Sequence, residues 1–451
     1  MQQAAEWVPR VIFGLNPMWV STGILVATYI AIMTERVNRA IVAGLGACLM
    51  IIVGVLNQDA AIRGVDFNTI MLLAGMMLIV GITRRSGVFE YLAIRSVKWA
   101  KASPAGILVG LSVATAVISA LLDNVTTVLL IVPVTIAIAK RLKVPAYPFL
   151  LSEVMASNIG GTATLIGDPP NIMIGSAAGL TFNQFVLNLA PIIVVILAAN
   201  ALALHFRWGR DMAAAQEDRE RVLAMNEREA ITDPVLLKHC LWVLAAVLLT
   251  FVLAREVHLE PGTIAMTGAV VLVLIDNWPH PAEHQTHKVH ASFSDVEWIT
   301  LFFFMGLFIV VAGVERAGVI SVVAHWVLGV TQGNLVLAAS IVLWSAAILS
   351  AFVDNIPFVA AMIPLIKDVG PQLTAANPHG IAVLWWALSL GACLGGNGTL
   401  IGASANLTVA GLAERQGVPF KFMTYTKIAF PLMLMSILLA QGYIYIRYLY
   451  L

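Results

Sequence analysis

GGTATLIGDPPN (residues 160–171) and GGNGTLIGASAN (395–406) are two versions of one segment, each set in a long apolar run (147–180 and 381–413). Paired glycines end a helix, and Pro169 and Pro170 stop the chain from resuming it at once. Irregular backbone at membrane depth is tolerated only where it is buried in protein or lines a cavity. The pattern therefore predicts two broken helices whose half-helix ends point at one place. There Gly160, Gly161, Thr162, Thr164, Asn171, Asn397, Thr399 and Asn406 offer backbone groups, hydroxyls and amides. A packing kink explains one such segment equally well. Two at matching positions are the mark of a transport site.

The match extends outward as a tandem duplication. Thr69, Gly75, Arg85, Gly87, Ser119, Asp123, Asn124 and Pro133 recur as Thr300, Gly306, Arg316, Gly318, Ser350, Asp354, Asn355 and Pro364, at a constant offset (300 − 69 = 231). The broken segments follow at 395 − 160 = 235, so four extra residues belong to a longer loop near 371–380. The first repeat is 1–206, with a helical hairpin at 104–142 and the broken helix at 147–180. A polar connection, 207–238, leads to the second repeat, 239–451, with its hairpin at 334–371 and broken helix at 381–413.

Composition sets the solvent. Of 451 residues 60% are hydrophobic and 11% charged, and mean hydropathy is +0.89. Soluble domains carry about 25% charged residues, so a soluble enzyme and a nucleic-acid binder are excluded. At about 20 residues per crossing the chain is an all-α polytopic membrane protein of about ten transmembrane helices plus two re-entrant hairpins. Cys48, Cys240 and Cys393 are far apart, which suggests neither disulfides nor a structural metal site. The N-terminal apolar segment lacks a basic leader pattern and reads as a retained helix.

Each repeat crosses five times, or seven if both hairpin arms span. Either number is odd, so the repeats are inverted. Charge agrees with this map. Of 26 Lys and Arg, only Arg10, Arg63, Arg255, Arg316, Lys367 and Arg447 fall on the side of the N-terminus, leaving 26 − 6 = 20 on the other. By the positive-inside rule both termini are external and the membrane is the cell's inner (plasma) membrane. No basic residue lies centrally in this map.

The hairpins turn at LLDNVTTV (121–128) and FVDNIPFV (352–359). A carboxylate there costs about 2.5–3.5 kcal/mol to insert, so it needs a partner or a wet cavity. Asp123 and Asp354 are candidates for proton coupling, with Asn124, Thr126 and Asn355 as candidate substrate contacts; helix capping is the competing account. The repeats differ at Asp168, whose mate is Ala403, and at Asn158, whose mate is Cys393. Asp168 is the leading proton carrier, because desolvation favours a carboxyl that holds its proton; capping of the half-helix at Pro169 competes here too. Asn158 joins the candidate binding residues. The histidines at 280, 284, 287 and 290 share their stretch with Pro279 and Pro281 and read as a solvated loop, and 209–233 reads as a solvated charged helix or a docking surface.

With DNVTT followed by GGTATLIGDPPN, the chain resembles the ArsB/NhaD group of the ion transporter superfamily, from about 17 to 447, nearest the arsenite permeases and pink-eyed-dilution-like permeases. The resemblance implies hairpin tips and broken-helix loops that form a central site and move as an elevator. It implies export of arsenite and antimonite against proton influx, in some members with a cytoplasmic ATPase, and no cofactor. Neutral arsenic trihydroxide suits amides and hydroxyls, and Cys393 alone supplies no thiolate capture. A sodium–proton antiporter, with the same aspartates as ion ligands, and a sodium-coupled dicarboxylate symporter stay open. The symporter ranks last because it calls for a central Arg or Lys.

Overall fold

The computed structural model of the protein describes residues 8–34, 36–209, 212–373 and 381–450. All regular secondary structure among them is helical. The first repeat comprises α1 (Pro17–Met33), α2 (Arg39–Ile52), α3 (Gln58–Gly64), α4 (Phe67–Arg84), α5 (Val88–Trp99), α6 (Pro104–Leu121), α7 (Asn124–Leu142), α8 (Tyr147–Gly161), α9 (Pro169–Ala178) and α10 (Phe182–Leu204). The connection carries α11 (Gln216–Leu223). The second repeat comprises α12 (Pro234–Val252), α13 (Ala254–Val257), α14 (Pro261–Asn277), α15 (Ala282–Ser294), α16 (Trp298–Arg316), α17 (Val319–Thr331), α18 (Leu335–Phe352), α19 (Asn355–Leu373), α20 (Ala382–Gly395), α21 (Ser404–Arg415) and α22 (Phe422–Ile444). Of the longer loop near 371–380, residues 374–380 lie outside the described residues, as does Arg210 of the connection.

Local chemistry sets the helix starts. Asn16 caps α1 by accepting from Met18 N, with Pro17 in the first turn, and Ser103 with Pro104 opens α6 in the same way. Thr181 and Gln184 form a reciprocal capping box on α10. Gly87 and Gly318, mates in the duplication, both hold φ of 80° just before α5 and α17, a left-handed conformation that favours glycine.

Nine of the described helices are long and apolar enough to cross a membrane, and four of these are the hairpin arms. Helices α8 and α20 are buried on every face, from Pro148 to Gly161 and from Val383 to Gly395. Such helices belong in the centre of a fold. The repeats exchange like contacts. Gly75 of α4 lies against the backbone of Ala265 in α14, and its mate Gly306 of α16 lies against Ala43 in α2. Reciprocal contacts of this kind define a pseudo-two-fold relation between the two halves.

Two expectations change. The histidine stretch is not a loop: Pro279 and Pro281 precede a helix, α15, and proline is tolerated before the first turn because no N–H is needed there. The amphipathic helices α5 and α17, between the third span and the hairpin of each repeat, carry no break motif and were not legible as separate elements. The charged connection is also folded back onto its own chain. Glu227 pairs with Lys98 and Arg95 of α5 at 2.5 and 2.9 Å, Asp218 with Lys143 after α7 at 3.1 Å, and Thr232 N donates to Ser86 O. Lys98, then Arg95, hold the Glu227 carboxyl down at about 2.

Candidate functional site

Each hairpin turn is a helix end facing a helix start, leaving carbonyls and N–H groups exposed to whatever lies between. Asp123 caps α7: it accepts from Thr126 N at 2.8 Å and from the Thr126 hydroxyl at 2.5 Å. Asp354 accepts from Ile356 N at 3.2 Å. Asp168 occupies the cap position of α9 but caps nothing. Its side chain is buried, its Oδ1 is 3.5 Å from Asn355 Nδ2, and its Oδ2 has no hydrogen-bond partner among the described residues. The capping account thus holds for Asp123 and fails for Asp168.

Behind the tips lies a closed amide lattice. Asn158 Nδ2 donates to Asn397 Oδ1 and Asn406 Oδ1, both at 2.9 Å, and its Oδ1 accepts from Asn124 Nδ2 at 2.9 Å. One asparagine thus ties the first hairpin tip to the second broken helix. Asn171 Nδ2 donates to Thr164 O and Asn406 Nδ2 to its mate Thr399 O, each at 2.9 Å, closing the two breaks identically. The threonine hydroxyls are spent on backbone. Thr162 donates to Asn158 O, Thr164 to Ala120 O, and Thr399 to Ala351 O. Ser119 to Ser157 O (2.7 Å) and Ser350 to Ala392 O (2.6 Å) repeat the same tie between hairpin and broken helix.

In front of the lattice is a cavity of about 30 Å³, lined by Asp123, Asn124, Asp168, Asn355 and, not among the candidate site residues, Arg39, Glu297, Thr300 and Ser404. That volume holds about two waters or one small ion. Of the residues proposed from sequence, these first four line it. Asn158, Asn171, Asn397, Asn406, Thr162, Thr164 and Thr399 stand behind it, and Thr126 holds Asp123. Gly160 and Gly161 pack against the backbone of Ala116 and Gly167.

The expectation of no central basic residue fails. Arg39, at the start of α2, reaches the second hairpin tip: its Nη1 donates to Asp354 Oδ2 at 2.7 Å and to Ser404 Oγ at 2.5 Å, and its guanidinium lies over Phe303 at 5.0 Å. Ser404 Oγ in turn donates to Asp354 Oδ2 at 2.9 Å. This group forms the wall between the small cavity and a vestibule of about 320 Å³ lined by Met33, Asn38, Arg39, Asp354, Ser404 and Thr408. Glu297 and Thr300 did leave a signal, being the mates of Asp66 and Thr69. Arg39 left none, since its counterpart at the start of α14 is Pro261.

Broken helices and carboxyl-bearing hairpin tips around a small central cavity, in a chain of apolar helices, define a membrane transporter. The chain belongs to the CitMHS family: the model of that family, described as citrate transporter, matches residues 29–391. It is 42% identical over 437 residues to an uncharacterized transporter of Mycobacterium tuberculosis, covering 95% of this chain and 98% of the relative. To the P protein of Homo sapiens it is 31% identical over 512 residues, 95% of this chain and 60% of that one. The fold is similar to the YdaH transporter of Alcanivorax borkumensis, with a TM-score of 0.60 at 12% identity, covering 96% of this chain and 98% of that one. MtrF of Neisseria gonorrhoeae gives 0.56 at 13% identity, covering 98% and 96%.

Proposed function

We propose that the chain exports arsenite and antimonite in exchange for protons, in the plasma membrane, with both termini external. The charge balance of the cavity carries this reading. Asp123, Asp168 and Glu297 line it with one cation, Arg39, which is already committed to Asp354. An acidic cavity with the amides of Asn124 and Asn355 at its wall disfavours a polyanion and accepts protons, and the adjoining vestibule of about 320 Å³ has room for an uncharged trihydroxide. Asp168, buried with a free Oδ2, is the carboxyl that takes up the coupling proton. A second vestibule of about 380 Å³, lined by Arg63, Asp66, Ser176, Glu315 and Lys367, belongs to the external loops of this topology and supports access from that side. The acidic residues Asp218 and Glu227 of the connection are engaged by the chain's own Lys143, Lys98 and Arg95.

One observation favours a second reading. Arg39 at the vestibule floor is the central cation that a carboxylate symporter needs, and the family's description names citrate. Everted membrane vesicles, sodium-free and energised to acidify their interior, decide between them. Accumulation of labelled arsenite that collapses with a protonophore supports export, and Asp168→Asn then abolishes it while the protein still inserts. No arsenite accumulation with citrate uptake in right-side-out vesicles transfers the assignment to the symporter. Sodium accumulation alone transfers it to the sodium–proton antiporter, with the same aspartates as ligands.

A further inference from the structure

Glu153 lies on α8 five residues before Asn158, about 7.5 Å along the axis from the amide lattice. Its side chain is fully buried. The Thr135 hydroxyl of α7 donates to its Oε1 at 2.5 Å, and its Oε2 has no hydrogen-bond partner among the described residues. Around it runs a row of buried hydroxyls: Ser112 and Ser152 bonded to each other, and Thr115 with its Oγ1 unpartnered. At the start of α8 the Tyr147 hydroxyl is also buried and unpartnered. An ionised carboxylate out of water needs a cation or several donors. Here there is one neutral donor. The charged residues of the helices packed against α8, namely Lys140, Arg141, Glu414, Arg415, Lys421 and Lys427, all stand exposed in terminal turns. Asp168, beyond the break, lines the cavity instead.

The duplication supplies a control on what the fold itself requires. By the two offsets, the mates of Ser112, Thr115, Thr135, Ser152 and Glu153 are Leu343, Ala346, Ile366, Ala387 and Leu388, every one apolar and buried. At these five positions the second repeat makes the same three-helix packing with hydrocarbon, so packing does not call for the polar row. A buried polar row is costly inside a membrane protein and marks an ion or proton path there. It occurs only in the repeat whose hairpin opens toward the basic loops.

We propose that Glu153 is a second proton-carrying carboxyl of the transport cycle, loaded and unloaded through the hydroxyl row enclosed by α6, α7 and α8. The proposal rests on the proton-coupled reading above and deepens it. Asp168 takes the proton at the cavity, and Glu153 holds one on the route between cavity and cytoplasm, releasing it to water at the Tyr147 end.

Two measurements test it separately from the substrate. Infrared titration of the purified protein between about pH 3 and about pH 10, a span that brackets ordinary and perturbed carboxyls, reads the protonated-carboxyl stretch directly. The expected result is a band present at neutral pH, reversibly lost on alkalinisation, and missing in Glu153→Gln. Thr135→Val moves it to higher frequency, because the carbonyl loses its hydrogen bond. A spectrum unchanged in Glu153→Gln, or a Glu153 band that never titrates, overturns the proposal. In vesicles, labelled-arsenite counterflow at equal pH persists in Glu153→Gln while protonophore-sensitive accumulation is lost. Glu153→Leu, copying the second repeat, guards against a folding defect. Accumulation at the wild-type level in both variants overturns the proposal. A wild type that carries no arsenite removes the exporter reading only, and the infrared titration still decides Glu153.

Discussion

Arg39→Gln is the perturbation whose cost follows most directly from the structure. Arg39 belongs to α2, which packs on α1 and α16, whereas Asp354 and Ser404 belong to the second hairpin and broken helix. The pair therefore joins two packing units. With charge centres about 4 Å apart and an effective dielectric of about 20, the attraction is about 4 kcal/mol. The side chains are 27% and 13% exposed, so solvent screens part of it. Exposed pairs contribute about 0–1 kcal/mol, and loss of one partner from a buried pair costs about 3–5. This pair falls between, at about 2 kcal/mol. Arg39→Gln leaves Asp354 with only the Ile356 N–H and the Ser404 hydroxyl, whereas Asp354→Asn leaves a guanidinium facing an amide. Unfolding in mixed micelles with a rising denaturing-detergent fraction, for the wild type, both single variants and the double variant, completes a mutant cycle. The expected coupling is about 1–2 kcal/mol, because the double variant has neither orphaned charge. Additivity within about 0.5 kcal/mol would refute the reasoning, since independent sites add to that precision.

Gly395→Ala and Gly160→Ala place a methyl against backbone, 2.5 Å from Ala347 O in the first case and on Ala116 in the second. Overpacking of this kind costs about 1–3 kcal/mol, read as a lower melting temperature, while Gly411→Ala, with nothing within 4 Å, leaves it unchanged or slightly higher. The connection is predicted to loosen in acid. Glu227 is held down at about 2 by Lys98 and Arg95, so its docking on α5 is complete above the ordinary value of 4.5 and is lost as pH falls from there toward about 2. Hydrogen exchange of the 227–230 amides, compared with Glu227→Gln, reads this: the wild type gains exposure only in that window, and the variant has none to lose.

The duplication, the hairpin turns at Asp123 and Asp354 and the two breaks were legible because each depends on neighbouring residues. A Gly-Gly pair ends a helix wherever it stands, Asp-Asn caps the next one, and an offset of 231 survives without coordinates. In the structure repeat mates make like bonds: Ser119 and Ser350, Thr164 and Thr399, and Asn171 and Asn406. Whether proline ended or opened the histidine stretch was not legible, since Pro279 and Pro281 suit a loop and a helix start alike.

The tertiary structure alone decided which of these polar groups face the cavity and which are consumed behind it. Threonines that looked available for substrate close helix ends, because a buried carbonyl must find a donor: Thr162 serves Asn158 O one turn back, and Thr164 serves Ala120 O at the end of α6. Arg39 entered the site from a position 315 residues before Asp354, with no repeat mate to announce it. Sequence periodicity reports the face a residue takes on its own helix. The reach of a long side chain across a helix crossing depends on how two distant helices pack, and only the folded chain fixes that.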